Sequence, residues 1–418
     1  MMQKRNLILA GATVALLLLG WLLGRPDPSG DGIEGIGEPL LPAVQADVNQ
    51  VSGLKLSGAG GELIVQVERA GEQWKVSSSH GYPADVTVVR RFLLALKDSV
   101  KRDVRTSKPE RYASIGVDDP TASSEAKGLL VELSGVAEPN RLIIGTFAAA
   151  GGGDHTYVRL ADQEQSWLAS GNLIPEKTAS NWLQRDVLDV PSSRISSVTI
   201  SASDGKTLSL SKANESDINY SVENVPKGRE LSSASAGNAL AGVLGSLQHE
   251  GVLPAAEAEP PAEGVYSGRY LTRDGLVVTM QGWEQGEQRL VRISAVADPA
   301  AIEAWATQEQ VRREAAAAAS AAAAAASESS VDPAEADAGE SNEQAGATDA
   351  EAAETAADSS APADPAAAVA AIVAEQTAKI EAEAQAINDR SAGWTFVLPT
   401  WKYSNLAKTM DDLLKAPE

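Results

Sequence analysis

Few residues in this chain have both the type and the spacing for chemistry. The most site-like string is Gly151-Gly152-Gly153-Asp154-His155. A glycine-rich loop cradles phosphate when it opens a helix, because free N–H groups then converge on the anion. Here Thr156-Tyr157-Val158-Arg159-Leu160 follows, which alternates like a strand, so the simpler reading is a hairpin turn. Asp118-Asp119-Pro120 offers adjacent carboxylates, but two Asp before Pro more often build a turn. His80, His155 and His249 lie far apart, and there is no cysteine. That removes thiol nucleophiles, thiolate metal sites and disulfides together. No nucleophile elbow, phosphate loop, zinc-binding helix or calcium loop is present. No catalytic, cofactor-binding or metal-ligating residue is therefore assigned, and the chain is not expected to be an enzyme. A hydrolase with an unrecognised carboxylate site is the weakest reading, because no paired acids with a positioning group are visible.

The 418 residues carry a net charge of −22, and carboxylates between Glu328 and Asp364, with no Lys or Arg, supply about half of it. The remainder is an ordinary solubilising excess. No basic stripe is present, so nucleic acid is excluded as a partner. Eight Trp against three Phe is an unusual ratio. Trp74, Trp167, Trp182, Trp394 and Trp401 fall in or beside expected strands and terminal helices, where core duty is expected. Trp283, in an expected hairpin turn, and Trp305 are the candidates for exposed contact.

The elements that would position any site begin with a membrane segment. Residues 1–5 hold Lys4 and Arg5, and residues 6–24 are uncharged and Leu-rich. As a helix they rise roughly 28 Å, close to the ~30 Å hydrocarbon core of a bilayer. The run exceeds a signal-peptide core and no small-x-small site follows it, which favours an uncleaved anchor. Lys4 and Arg5 precede it; Arg25 and several acids follow. The positive-inside rule then places the N-terminus in the cytoplasm and the body outside, in the periplasm of a bacterium. The expected localisation is a bacterial inner membrane, crossed once.

Residues 25–46, rich in Pro and Gly, read as an extended linker. The expected fold is α+β: two similar antiparallel-sheet-plus-helix units, at 47–190 and at 191–297 with 390–418. In the first, strands at Val51–Leu56, Leu63–Val67 and Trp74–Val76 precede a helix from Thr87 to Lys101, N-capped by Asp85. Strands at Leu129–Leu133, Leu142–Ile144 and Tyr157–Leu160 follow, then a helical segment after Pro175. The second unit repeats this order, with a helical face at Leu240, Val243, Leu244 and Leu247. Leu173-Ile174-Pro175 with Ser180-Asn181 matches Val397-Leu398-Pro399 with Ser404-Asn405. Short connections permit antiparallel pairing and are too short for parallel crossovers. Residues 298–389 are an Ala/Glu-rich insertion: two helices projecting from the body, joined by an acidic, disordered tip at 328–364. It reads either as a contact arm or as a tolerated low-complexity loop.

Several strings together resemble one bacterial family. They are Gly81-Tyr82-Pro83-Ala84-Asp85, the run from Pro109 through Tyr112, Ile115, Gly116 and Asp119 to Pro120, Leu142-Ile143-Ile144-Gly145, Tyr157-Val158-Arg159 and Trp167-Leu168. The family is the domain of unknown function 4340. The likeness covers most of residues 1–300 and the tail from Trp394, and the Ala-rich arm departs from it. The resemblance implies a single-pass, periplasm-facing protein, often encoded beside gliding-motility-type ABC export components, with no established activity, and it supplies no catalytic residues to carry over. The expected function is a membrane-anchored accessory or scaffold protein of an ABC-type envelope transport system. The alternative is a periplasmic ligand-binding module for cell-wall glycan or peptide. The expected partners are the bilayer, through residues 6–24, and a membrane protein of that transporter class.

Overall fold

The structure, a computed structural model, describes residues 35–150, 153–328 and 365–416. The expected membrane helix at 6–24, its flank at 1–5, the linker up to residue 34 and nearly all of the acidic tip lie outside these. Among the described residues no helix is long and apolar enough to cross a membrane. The chain divides into two compact units, Met1–Gln184 and Arg185–Glu418.

In the first unit a short helix α1 (Pro42–Ala46) precedes strands β1 (Gly53–Ser57), β2 (Leu63–Ala70), β3 (Gln73–Val76) and β4 (Tyr82–Pro83). Helix α2 (Val86–Asp98) follows, then β5 (Lys101–Val104), helix α3 (Tyr112–Ile115), β6 (Leu129–Ser134), β7 (Arg141–Ala150), β8 (Gly153–Leu160) and β9 (Ser166–Ser170). All pair antiparallel in one sheet, in the order β4-β3-β2-β1-β6-β7-β8-β9-β5. Asp85 caps α2 by accepting from the amides of Thr87 and Val88, and the helix buries Val89, Phe92, Leu93 and Leu96. That apolar stripe at helical spacing is what fixes α2 as a covering layer.

In the second unit the strands are β10 (Asp186–Leu188), β11 (Ile195–Ala202), β12 (Thr207–Ser211), β13 (Ser221–Val222), β14 (Leu247–Gln248), β15 (Gly251–Pro254), β16 (Tyr266–Thr272), β17 (Leu276–Gln285), β18 (Gln288–Ala297) and β19 (Trp394–Val397). The helices are α4 (Asn238–Ala241), α5 (Pro299–Glu328), α6 (Pro365–Ser391) and α7 (Thr400–Leu406). The main sheet runs β13-β12-β11-β16-β17-β18-β19-β15, again antiparallel throughout. Adding ten to each strand number of β3-β2-β1-β6-β7-β8-β9-β5 reproduces it.

The registers agree as well. Leu54 faces Val67 and Leu56 faces Val65, as Val198 faces Leu210 and Ile200 faces Leu208. Ala84 bridges Leu183 just ahead of α2, and Leu231 bridges Leu414 ahead of α4. Even the entries match: Pro39 bridges Val100 ahead of β5, and β10 pairs with β14 ahead of β15.

This last match corrects the linker. Residues 35–46 are the first unit's entry segment, with Leu40, Leu41 and Val44 buried. The Pro and Gly content suggested extension, but three apolar side chains within five residues bring the segment into the core. The projecting arm is corrected too. α6 buries Ile372, Ile380, Ala384 and Ile387, and the Asn388 amide bonds both the N–H and the carbonyl of Ala295 on β18, each at 2.8 Å. Ile302 and Ala306 bury the root of α5. The helices after Pro175 and around Leu240 are shorter than expected: a 3₁₀ turn at Ala179–Trp182, and α4 followed by a 3₁₀ turn at Gly242–Leu244.

Candidate functional site

A cleft of about 820 Å³ opens in the second unit. One side comes from chain ends of the sheet: the 3₁₀ turn Ser192–Arg194 before β11, Lys212 to Glu215 after β12, and Thr272-Arg273-Asp274 at the β16–β17 turn. The other side is one face of α5, formed by Ala301, Ala304, Trp305, Gln308, Glu309 and Arg312. Those positions recur at three- and four-residue steps, so a single helical face is presented.

Arg194 organises the base. Its Nε lies 3.0 Å from both Asp274 carboxylate oxygens, and its two Nη atoms make a fork to Glu383 of α6 at 2.6 and 2.7 Å. Bidentate geometry of this kind is the strong form of the ion pair. Burial pushes the Asp274 carboxyl up, but hydrogen bonds from Arg194 and Thr272 outweigh it and hold the group below the usual range. Gln376 of α6 donates to the Asp274 carbonyl at 3.0 Å. Gly275, at φ +99°, sits where a Cβ would overlap Ile302, so the turn needs glycine for α5 to start there.

Two hydroxyls of the cleft, those of Ser196 and Thr272, are held by the backbone. Ser196 Oγ donates to the Leu271 carbonyl at 3.0 Å, and Thr272 Oγ1 accepts the Leu276 amide at 2.7 Å. Lys212 Nζ lies 4.6 Å above the Tyr220 ring. Tyr220 in turn places its hydroxyl 2.6 Å from the Ser192 carbonyl, and burial pushes its pKa up to about 12. Arg273 donates to the Asn214 carbonyl at 2.8 Å, and its Nε is buried with no partner among the described residues.

The strings singled out in the sequence do not converge here. Asp154-His155 lies on the β7–β8 hairpin, with His155 Nδ1 2.6 Å from its neighbour's carbonyl. Asp119 accepts from the Thr121 amide and hydroxyl, and Asp118 from the Lys127 amide, which makes this string a turn. His249 is buried and stacked on Phe396. Among the described residues no group of three or more His, Asp or Glu is placed to hold a metal ion. Trp305 does line the cleft. Trp283 is 1% exposed, because β17 and β18 extend past it to Gln285 and Gln288, and Trp401, expected in the core, is 64% exposed. Arg194, Asp274 and Glu383 carried no sequence signal, being scattered over nearly two hundred positions.

In the first unit Arg159 of β8 is buried. Its guanidinium lies 4.6 Å from the Tyr112 ring centre and donates to the carbonyls of Val117, Ala161 and Gln163 at 3.0–3.2 Å. A Cβ at Gly145 would run into the Ile115 carbonyl. Tyr112, Ile115, Gly116, Gly145 and Arg159 thus fasten the β5–β6 connection onto the sheet. Residues 74–265 match the family model described as Domain of unknown function (DUF4340). This segment, somewhat under half of the chain, is thus similar to that family's domain. The DUF4340 segment runs from β3 to the residue before β16, so it takes in parts of both units. Every string quoted for the resemblance falls inside it, whereas α5, α6 and Arg273 fall outside. No curated protein and no solved structure matches the chain.

Proposed function

We propose that this is a membrane-tethered accessory protein of the bacterial envelope, with its body in the periplasm, that holds a ligand without transforming it. The observation that carries the reading is the cleft of the second unit, whose Ser196 and Thr272 hydroxyls and Arg194 are engaged by the protein's own backbone and carboxylates. Groups locked in this way present a fixed polar surface, which suits recognition. Tethering and orientation are supported by the apolar run at 6–24 with Lys4 and Arg5 ahead of it. An alkaline phosphatase fusion after Glu418 should be active, and the protein should stay with membranes through carbonate extraction. An inactive fusion, or release by carbonate, overturns the tethered periplasmic reading.

A second reading is a scaffold within an ABC-type envelope transport system, without ligand. The resemblance implies that setting, and the exposed indole of Trp401 on α7 favours a protein contact. A mild-detergent pull-down from native membranes tests it: recovery of transporter components supports it, and clean recovery of the chain alone counts against it.

A further inference from the structure

We propose that the cleft of the second unit binds a sugar ring bearing a carboxylate, an inference that rests on the ligand-holding reading above. Charge is the first ground. Arg194 is fully engaged by Asp274 and Glu383, a cluster with one carboxylate in excess, whereas Lys212 and Arg273 take part in no ion pair among the described residues. On the α5 wall Arg312 is paired with Glu309, so the unpaired cations lie on the sheet side of the cleft. Glu215 stands exposed at the rim. An anion entering the cleft meets Lys212 and Arg273 on the sheet side.

Shape and polarity are the second ground. Trp305 presents an indole among Gln308, Asn214 and Ser193, side chains that can exchange hydrogen bonds with ring hydroxyls. The C–H face of a pyranose packs on an aromatic plane, while a carboxylate on its edge reaches the cations. The volume of about 820 Å³ suits one or two such rings.

The third ground is the internal comparison. The first unit has the same sheet order, but a short turn joins β8 to β9 where α5 and α6 join β18 to β19. The α5 wall of the cleft is the part of the second unit that has no counterpart in the first. On a helix that is otherwise largely alanine, Trp305, Gln308 and Arg312 share the face turned to the cleft.

The test is calorimetric titration of the full chain in detergent with two matched pairs, N-acetylmuramic acid against N-acetylglucosamine and galacturonic acid against galactose. At least one acid should bind about tenfold or more tightly than its neutral partner, the share of one charge-assisted hydrogen bond. Which acid binds tells a cell-wall lactyl carboxylate from a uronic acid. Lys212→Gln should reduce that preference without changing the melting temperature, and Trp305→Phe should weaken acid and neutral sugar alike. Equal binding of both members of each pair overturns the proposal and leaves the ligand-holding reading standing, as does binding of glycerol phosphate alone. No heat with any sugar and no shift in melting with a soluble cell-wall digest overturns both.

Discussion

The two units solve the same problem with the same strand order and differ at one connection. Between β8 and β9 the first unit needs only the turn from Ala161 to Gln165. At the matching place the second inserts α5, α6 and everything between them. The shared part shows what the fold requires. In each unit an arginine from the matching strand, Arg159 on β8 or Arg292 on β18, donates to carbonyls of the connection that follows the edge strand β5 or β15. Each also lies against an aromatic ring, Tyr112 or Trp283. The differing part shows what the fold tolerates. Closing a longer loop adds little entropy cost, so an insertion there is cheap, and once helical it can add a wall to the cleft.

The sharpest way to break the comparison is to end the chain at Ser391. That removes β19 and α7, the counterparts of β9 and the turn at Ala179–Trp182, with Phe396, Leu398, Tyr403 and Leu406 all buried. At about 1.5–3 kcal/mol per large buried side chain, the loss rivals a domain's whole margin of roughly 5–15 kcal/mol. The second unit should unfold, read by loss of its thermal transition. A protein that melts like the full chain would refute both the internal repeat and its interruption.

Next in size is Arg159→Met. It leaves the carbonyls of Val117, Ala161 and Gln163 without their buried donor, at a cost of about 2–4 kcal/mol. Arg292→Met should cost less, because Arg292 is only half-buried. Denaturant melts of the two variants check the order, and a larger effect at Arg292 would deny the two arginines a common role.

Glu383→Gln comes third, at about 1–2 kcal/mol, since it weakens the fork from Arg194 while Asp274 remains. The same cluster sets a pH dependence. Asp274 has its carboxyl held down in the folded state, so its contribution is complete above the usual carboxylate range and is lost as pH falls through the depressed folded value. Melting temperature followed below about pH 4 should drop less steeply in Asp274→Asn than in the parent. Parallel curves would show that the cluster adds no acid sensitivity.

The smallest effect belongs to deletion of residues 329–364. On composition this acidic stretch buries little, and shortening a loop changes closure entropy by at most ~1 kcal/mol. A melting temperature within a degree or two of the parent is expected. A collapse of the second unit would show that the stretch belongs to its core.

Much of the fold was legible because strand alternation and helix stripes are local. Leu54 and Leu56, Leu63 to Val67, and Val89 to Leu96 announce their elements by spacing alone. The Pro-to-Ser-Asn match near the end of each unit pointed to the repeat. The cleft was not legible in the same way. Arg194, Asp274 and Glu383 come from a 3₁₀ turn, a hairpin and a distant helix, and no spacing rule links them.

The tryptophans mark the same limit. The sequence reading exchanged the environments of Trp283 and Trp401, because hydrophobicity is a property of the residue and burial a property of the neighbours. By itself the sequence determined composition class, charge, the apolar run at 6–24, the family likeness and the order of most elements, all of which depend on residues close in the chain. Only the tertiary structure decided that α6 packs as a layer on β18, that residues 35–46 belong to the first unit, and that a polar cleft opens under α5. Each of those depends on contacts between segments far apart in the chain, and the free energy of such contacts is set by geometry that no local pattern encodes.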